Sequence, residues 1–280
     1  MWRRFRHNRL AVGGLVLVVA MVLTATLAPW IAPYSPYAQF SEIGLQPPSR
    51  AHLLGTDTIG RDYLSRLVYG VRISLLVGVS TMVVAALAGV FLGLLGGYYG
   101  KALDAVIGRC LDALLAFPVV LLAIFIVAVL GPSMLNAIVA VAIVYTPTFA
   151  RLARASVLSL RAQDFVEAAR AMGASDARVL GRHVLPSTLS PLIVQCSLGI
   201  GSAILIEASL SFLGLGVQPP TPSWGAMIGA GRNFLTVAPW LATVPGIAII
   251  LAIVGFNLFG DGIRDMLDPR TGAGRPSDRL

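Results

Sequence analysis

Charge is confined to short stretches of the chain, and the residues between them are almost uniformly apolar. Residues 73–100, 113–150, 183–206 and 233–260 contain no Asp, Glu, Lys or Arg, and 10–49 is interrupted only by Glu42. A helix needs about 20 apolar residues to cross ~30 Å of hydrocarbon at 1.5 Å per residue. The run 113–150 is long enough for two such helices, and Gly131-Pro132-Ser133 marks a turn near its middle. The pattern therefore predicts an all-α integral membrane protein with six spans, at roughly 10–32, 73–98, 111–130, 134–153, 188–210 and 238–260.

The segments between spans carry their own patterns. Within 33–72, Pro33, Pro36 and Pro47-Pro48 read as extended or turning chain. Leu64, Leu67, Val68 and Val71 then repeat at i, i+3, i+4 and i+7, one face of a helix flanked by Arg61, Arg66 and Arg72. This predicts a helix lying along the outer interface with its arginines reaching to water, as an anchor or as a contact for an external partner. In the second span Thr81, Ala85, Gly89, Gly93 and Gly97 form a seam of small residues at i+4 spacing. Such a seam lets two helix backbones approach closely, within this chain or across a subunit interface. The stretch 208–237 is uncharged up to Arg232, yet Gly214, Gly216, Pro219, Pro220, Pro222 and Gly225 rule out a straight helix. Irregular apolar backbone at membrane depth is buried in protein or lines a cavity. Residues 211–237 are thus expected to form an external re-entrant element over the outer mouth of a translocation path.

Composition agrees: 56% of the 280 residues are hydrophobic and 12% charged, with a mean hydropathy of +0.81, against about 25% charged in soluble domains. The net charge of +8 would suit nucleic acid if it were clustered. With the N-terminus in the cytoplasm, however, the six spans leave only Arg50, Arg61, Arg66, Arg72 and Arg232 of the 21 basic residues outside. That asymmetry is the positive-inside rule, and nucleic acid is not implied. It predicts a cytoplasmic N-terminus over 1–9, a transmembrane domain over 10–260 and a cytoplasmic tail over 261–280. The start WRRFRHNRLAVGG has a signal-like layout, but its apolar run exceeds the usual h-region, so an uncleaved anchor is expected. Cys110 and Cys196 fall on different predicted helices and read as buried small hydrophobes rather than a disulfide.

One polar stretch stands apart. Glu167–Pro186 reads EAARAMGASDARVLGRHVLP and sits within the predicted cytoplasmic segment 154–187. Asp164 and Glu167 have the spacing of an N-cap with a back-bonding Glu. Phe165, Ala168, Ala169 and Met172 make a short apolar stripe, and Gly173 stands where a helix end favours φ > 0. Ser175 is placed to cap a second helix carrying Val179, Leu180 and Val184, which Pro186 is expected to stop. Two short helices bent at a glycine would make a compact knob.

Glu167, Ala168, Ala169, Gly173 and Leu185-Pro186 resemble the EAA loop of ABC importer permeases, the element that docks such a permease on its ATPase. Other segments resemble the same family: Gly55-Thr56-Asp57, Gly60-Arg61-Asp62, Ser65-Arg66, Leu210–Pro220, Ser223-Trp224-Gly225 and Phe256–Arg270. His183 departs from the isoleucine common in the wider family, as in its peptide branch. The chain is thus similar, over nearly its whole length, to the second (C-type) permease of dipeptide, oligopeptide or nickel importers. The resemblance implies the type I importer permease fold in a bacterial or archaeal plasma membrane. It implies a second homologous permease, two cytoplasmic ATPases, an external substrate-binding protein and surrounding lipid as partners. Peptide is the favoured cargo, with nickel or another small solute as the alternative.

No cofactor is expected on this chain; ATP and Mg would belong to the ATPases. A P-loop reads G-x-x-x-x-G-K-[ST], and the single lysine, Lys101, follows Gly100 with Leu95 and Ala102 at the other required positions. No catalytic residues are expected, and because His7, His52 and His183 all lie outside the predicted spans, no metal site is expected either. Glu207, the acidic residue inside a predicted span, together with Phe212, Gln218 and Trp224, is a candidate for the translocation path or outer gate, with an interhelical hydrogen bond as the other reading of Glu207. An ion-coupled secondary transporter is the rival from another class, although intramembrane charge is sparse and no inverted repeat is visible.

Overall fold

A computed structural model describes residues 8–40, 44–161 and 163–267 of the chain. The first helix, α1 (Arg9–Ile31), starts where the Asn8 side chain accepts from the amides of Leu10 and Ala11 at 3.1 and 3.2 Å. That cap satisfies two of the first-turn donors that a helix leaves open. α1 lies against the last helix, α10 (Trp240–Leu267), most closely at Gly14, where a Cβ would sit 2.5 Å from the Phe259 amide nitrogen.

The helix expected to lie along the interface at 64–71 is instead the start of α2 (Tyr63–Tyr99), a single helix of 37 residues, about 55 Å long. Leu64 to Val71 face inward because Val68 and Val71 pack into the core, and no break separates them from the span that follows. Arg66 does not reach for water: it is 5% exposed and donates to the carbonyls of Pro36 and Pro220 at 3.0 and 3.4 Å. The small-residue seam of α2 packs within the chain on α5 (Met134–Leu160). A Cβ on Gly89 would lie 2.5 Å from Phe149 Cβ, and one on Gly93 would lie 2.4 Å from the Ala150 carbonyl oxygen.

The third predicted span, 111–130, is not one helix. α3 (Lys101–Leu115) and α4 (Val119–Leu130) meet at a 96° bend. Pro118 supplies the reason: it has no amide donor and pushes Phe117 out of helical backbone. Among the described residues five helices are long and apolar enough to cross a membrane, and the bent pair makes a sixth span if counted as one. Cys110 on α3 is exposed rather than buried; Cys196 is half-buried, and both are free thiols.

Beyond α5 come α6 (Asp164–Ala171) and α7 (Asp176–Val179), followed by a π-helical turn, Leu180–Val184, and α8 (Leu185–Phe212). Pro186 does not end a helix here. It occupies the first turn of α8, where a missing amide costs little, so the chain runs from α7 through the π turn into α8. A short helix, α9 (Trp224–Gly231), and a 3-10 turn, Arg232–Phe234, lead to α10, which continues through 261–267 before the described residues end. Among the described residues no strand forms beyond an isolated pairing of Thr56 with Asp62.

One apolar core lies among α2, α4, α5 and α8, around Met82, Val141, Phe149 and Leu210. A second joins α2, α8, α9 and α10 around Tyr63, Ile204, Trp224 and Phe256. The outer faces stay apolar and exposed, as with Leu76, Val83, Leu87 and Phe91 on α2 and Phe125 and Val129 on α4. In water such a surface would be a liability; in lipid it is the expected one.

Candidate functional site

At one end of the bundle, α6 and α7 form the knob that the sequence pattern predicts, and they bend at Gly173 with φ of +81°. Three valines hold it down: Val166 from α6, Val179 from α7 and Val184 from the π turn are fully buried beside Val157 of α5 and Tyr98 of α2. Tyr98 adds a polar tie, its hydroxyl donating to Asp176 at 2.6 Å. Nearby, Arg154 of α5 grips Asp104 of α3 through two bonds of 2.5 and 2.6 Å.

Two residues of the expected apolar stripe of α6 do not face this core. Of the stripe's described members, Met172 is 83% exposed and Ala168 is also exposed, so these two point away from the chain. Pro186 is exposed and Leu185 is half-buried. The side chains of Phe165, Glu167, Ala169 and His183 lie outside the described residues. Ser175 immediately precedes α7, and its carbonyl accepts from Val179 at 3.0 Å. Asp164 begins α6 itself, with Gln163 before it accepting from the Val166 amide at 2.9 Å.

At the opposite end, Glu207 is fully buried and ties down the loop between α8 and α9. Its Oε1 accepts from Ser211 at 2.6 Å and from Ser223 at 3.1 Å, and Ser211 Oγ in turn accepts from the Val217 amide at 3.0 Å. Both limbs of the loop are thus fastened to one carboxylate. Trp224, 2% exposed, donates its indole N–H to the Leu67 carbonyl at 3.1 Å. The four gate candidates are not brought to one open surface. Glu207 and Trp224 are sealed inside, Phe212 lies beneath the Arg232 guanidinium at 5.7 Å, and Gln218 is exposed and bonded to the carbonyls of Gly214 and Gly216.

Replacing Glu207 by glutamine keeps an acceptor for both serines, whereas alanine leaves both hydroxyl protons without an acceptor around a void. Glu207→Ala is expected to lose about 3 kcal/mol of stability and Glu207→Gln under about 1 kcal/mol. Thermal unfolding in detergent reads the difference.

Beside this loop lies a polar clasp whose partners were not legible in the sequence. Asp62 caps α2, accepting from the Ser65 amide and hydroxyl at 2.8 and 2.7 Å, and its other oxygen meets His52 Nδ1 at 2.8 Å. Asp57 accepts from Arg61 Nε at 2.6 Å. Asp57, Arg61 and Arg66 line a cavity of about 100 Å³ against Pro219, Met227 and Leu241. Asp62→Ala strands three buried donors, so a loss of about 3 kcal/mol is expected in the same unfolding experiment. Asp62→Asn, which retains an oxygen, should lose less.

Residues 89–273, two-thirds of the chain, match the family of binding-protein-dependent transport system inner membrane components. The chain belongs to this family. Residues 1–48 also match the N-terminal transmembrane domain of oligopeptide transport permease C. Among its relatives, the dipeptide transport system permease protein DppC of Escherichia coli K12 is 52% identical, with 96% of this chain and 92% of that protein covered. The di/tripeptide transport system permease protein DppC of Pseudomonas aeruginosa is 46% identical over 96% and 91%. The glutathione transport system permease protein GsiD of Escherichia coli is 47% identical over 96% and 89%. A chain of the MetNI methionine ABC transporter, solved in an inward-facing conformation, superimposes with a TM-score of 0.59 at 18% identity, covering 73% of this chain and 97% of that one. This last likeness concerns the fold alone.

The protein is accordingly a multi-pass inner-membrane permease subunit of a binding-protein-dependent transport system. Membership of that family sets aside the ion-coupled secondary transporter. Among the described residues no His, Cys, Asp and Glu group has the arrangement of a metal site. The match from residue 89 takes in most of the α2 seam, the knob, the Glu207 loop and α10.

Proposed function

We propose that this permease imports short peptides, with ATP hydrolysed by partner ATPases seated on α6 and α7. One observation carries the docking reading: a knob fixed to the bundle on its inner side turns an apolar edge, Met172 with Ala168, away from the chain. Lipid is a poor cover for it, because Arg161, Asp164, Asp176 and Arg178 share the exposed surface. A folded protein with its own apolar groove suits it better.

Two routes carry a push on the knob into the spans. The Tyr98–Asp176 bond joins it to the end of α2, and the uninterrupted π turn joins it to α8. Movement of the ATPases would tilt α2 and α8 together, because their small-residue contacts at Gly78 and Gly199 keep them packed. A path through the bundle would then open alternately to the two faces of the membrane. The names of the relatives support peptide rather than nickel as cargo. A second homologous permease, a pair of ATPases and an external binding protein complete the reading.

Co-expression with its chromosomal neighbours, purification through this chain, and assay of dipeptide uptake into proteoliposomes test it. A second permease and ATPases should co-purify, and uptake should require ATP and the binding protein. A chain that purifies alone and drives uptake without ATP would overturn the proposal.

A further inference from the structure

α8 and α10 touch closely at Gly260, where a Cβ would lie 2.7 Å from Leu198 Cδ2, and again at Gly201, 3.2 Å from Ile253 Cα. Toward the knob end the two helices part. A cavity of about 450 Å³ opens there, roofed by Leu198 and walled by Leu152, Pro191, Val194 and Leu267. This volume falls within the usual range for a small-molecule site, about 300–1,000 Å³.

Three polar side chains enter this apolar wall: Ser190 and Gln195 from α8 and Arg264 from α10. Gln195 stands ten residues into α8, about 15 Å from its start, at a depth where a carboxamide needs a partner or water. None of the three bonds to another described residue. Ser197, by comparison, returns its hydroxyl to the Ile193 carbonyl at 2.9 Å, and Asp265, next to Arg264, accepts from Asn8 at 3.1 Å. A guanidinium, a carboxamide and a hydroxyl set among apolar walls make a defined donor and acceptor pattern. It suits a small molecule with a carboxylate at one end and amide groups behind it.

We propose that this cavity is a binding station for the cargo on its way out of the permease, with Arg264 taking the C-terminal carboxylate and Gln195 and Ser190 the peptide amide. The assignment rests on the peptide-import reading above. Arg264 then acts as a selectivity residue for free acids, separate from any preference of the external binding protein. The Leu198–Gly260 crossing closes the cavity on its far side, so a peptide held here is shut off from the opposite face.

The test uses the complete transporter in nanodiscs and a dipeptide whose second residue is p-azidophenylalanine, as the free acid and as the C-terminal amide. Photolabelling followed by peptide mapping should mark the 190–198 and 264–267 segments. The label should be competed by unlabelled dipeptide and should fall about tenfold for the amide, as expected when one charge-assisted contact is removed. Arg264→Ala and Gln195→Leu should each reduce it similarly. The amide comparison needs no variant, so it holds even where a variant fails to assemble. Label placed elsewhere, or equal for acid and amide, would overturn the station. So would label displaced by anionic lipid but not by dipeptide, or Arg264→Ala that releases the ATPases without changing the label. ATP-driven dipeptide uptake by the same preparation is scored separately: its absence would refute the import reading itself.

Discussion

Gly93→Ala is expected to abolish recovery of folded permease. The added Cβ would fall 2.4 Å from the Ala150 carbonyl oxygen, 2.8 Å from Ala153 Cβ and 3.0 Å from the Arg154 amide nitrogen. Two of these three neighbours are backbone atoms of α5 and cannot rotate away, so α2 and α5 must separate. Overpacking of a tight core costs about 1–3 kcal/mol when side chains can adjust; here the cost should reach the upper end or exceed it. Gly89→Ala meets Phe149 Cβ at 2.5 Å and the Thr146 carbonyl at 2.6 Å and should behave alike. Because both sites lie in one seam, the double variant should not simply sum the two effects. Fluorescence-detected size-exclusion chromatography of a tagged permease should show a lost or aggregated peak. Gly108→Ala on α3, which would meet nothing within 4 Å, provides the control. A normal peak for Gly93→Ala would mean the seam is looser than the geometry requires.

That seam also shows what a single sequence can and cannot convey. Small residues at i+4 spacing say that two backbones meet but not whose; Ala150, Ala153 and Val157 on α5 supply the answer only once the chain is folded. The long spans and the knob were legible because periodicity, glycine and proline are local signals. Less legible was the start of α2. Arg61, Arg66 and Arg72 lie beside an amphipathic stripe whether the helix floats at an interface or plunges inward. The decision comes from Asp57, Pro36 and Pro220, which are remote in sequence and satisfy Arg66 inside the protein. Charge alone therefore misplaced the helix.

The candidate gate failed to assemble on one surface for a related reason. A carboxylate in a span signals importance, yet Glu207 spends one oxygen on the hydroxyls of Ser211 and Ser223, and that pairing depends on how the glycine- and proline-rich loop returns. The opposite error concerns Gln195. An uncharged polar residue in the run 183–206 attracts little notice beside Thr188 and Ser197, which bond back to their own helix. It becomes informative only when the fold leaves it facing a cavity without a partner.

Gly173→Val should uncouple the permease from its ATPases while leaving the membrane bundle folded. The two outcomes separate because a Cβ at Gly173 meets nothing within 4 Å, so the backbone alone carries the effect. Its φ of +81° lies in a region that a β-branched residue adopts only with strain of about 1–3 kcal/mol. Among the described residues α6 itself contributes one buried valine, Val166, to the knob's anchorage, worth about 1.5–3 kcal/mol, which a strain of this size can offset. α6 would then swing or lengthen, and Met172 and Ala168 would leave the positions a partner must match. ATPase co-purification should fall at least about tenfold, since 1.4 kcal/mol already gives that factor, and ATP-driven uptake should fall with it. Asparagine tolerates positive φ, so Gly173→Asn should retain most of both. Gly181→Ala, in the π turn with open space around it and without positive φ, should retain everything. If Gly173→Val keeps its ATPases, docking does not depend on the bend. If the asparagine variant loses them as completely as valine, the side chain and not the backbone is what the partner rejects at this position.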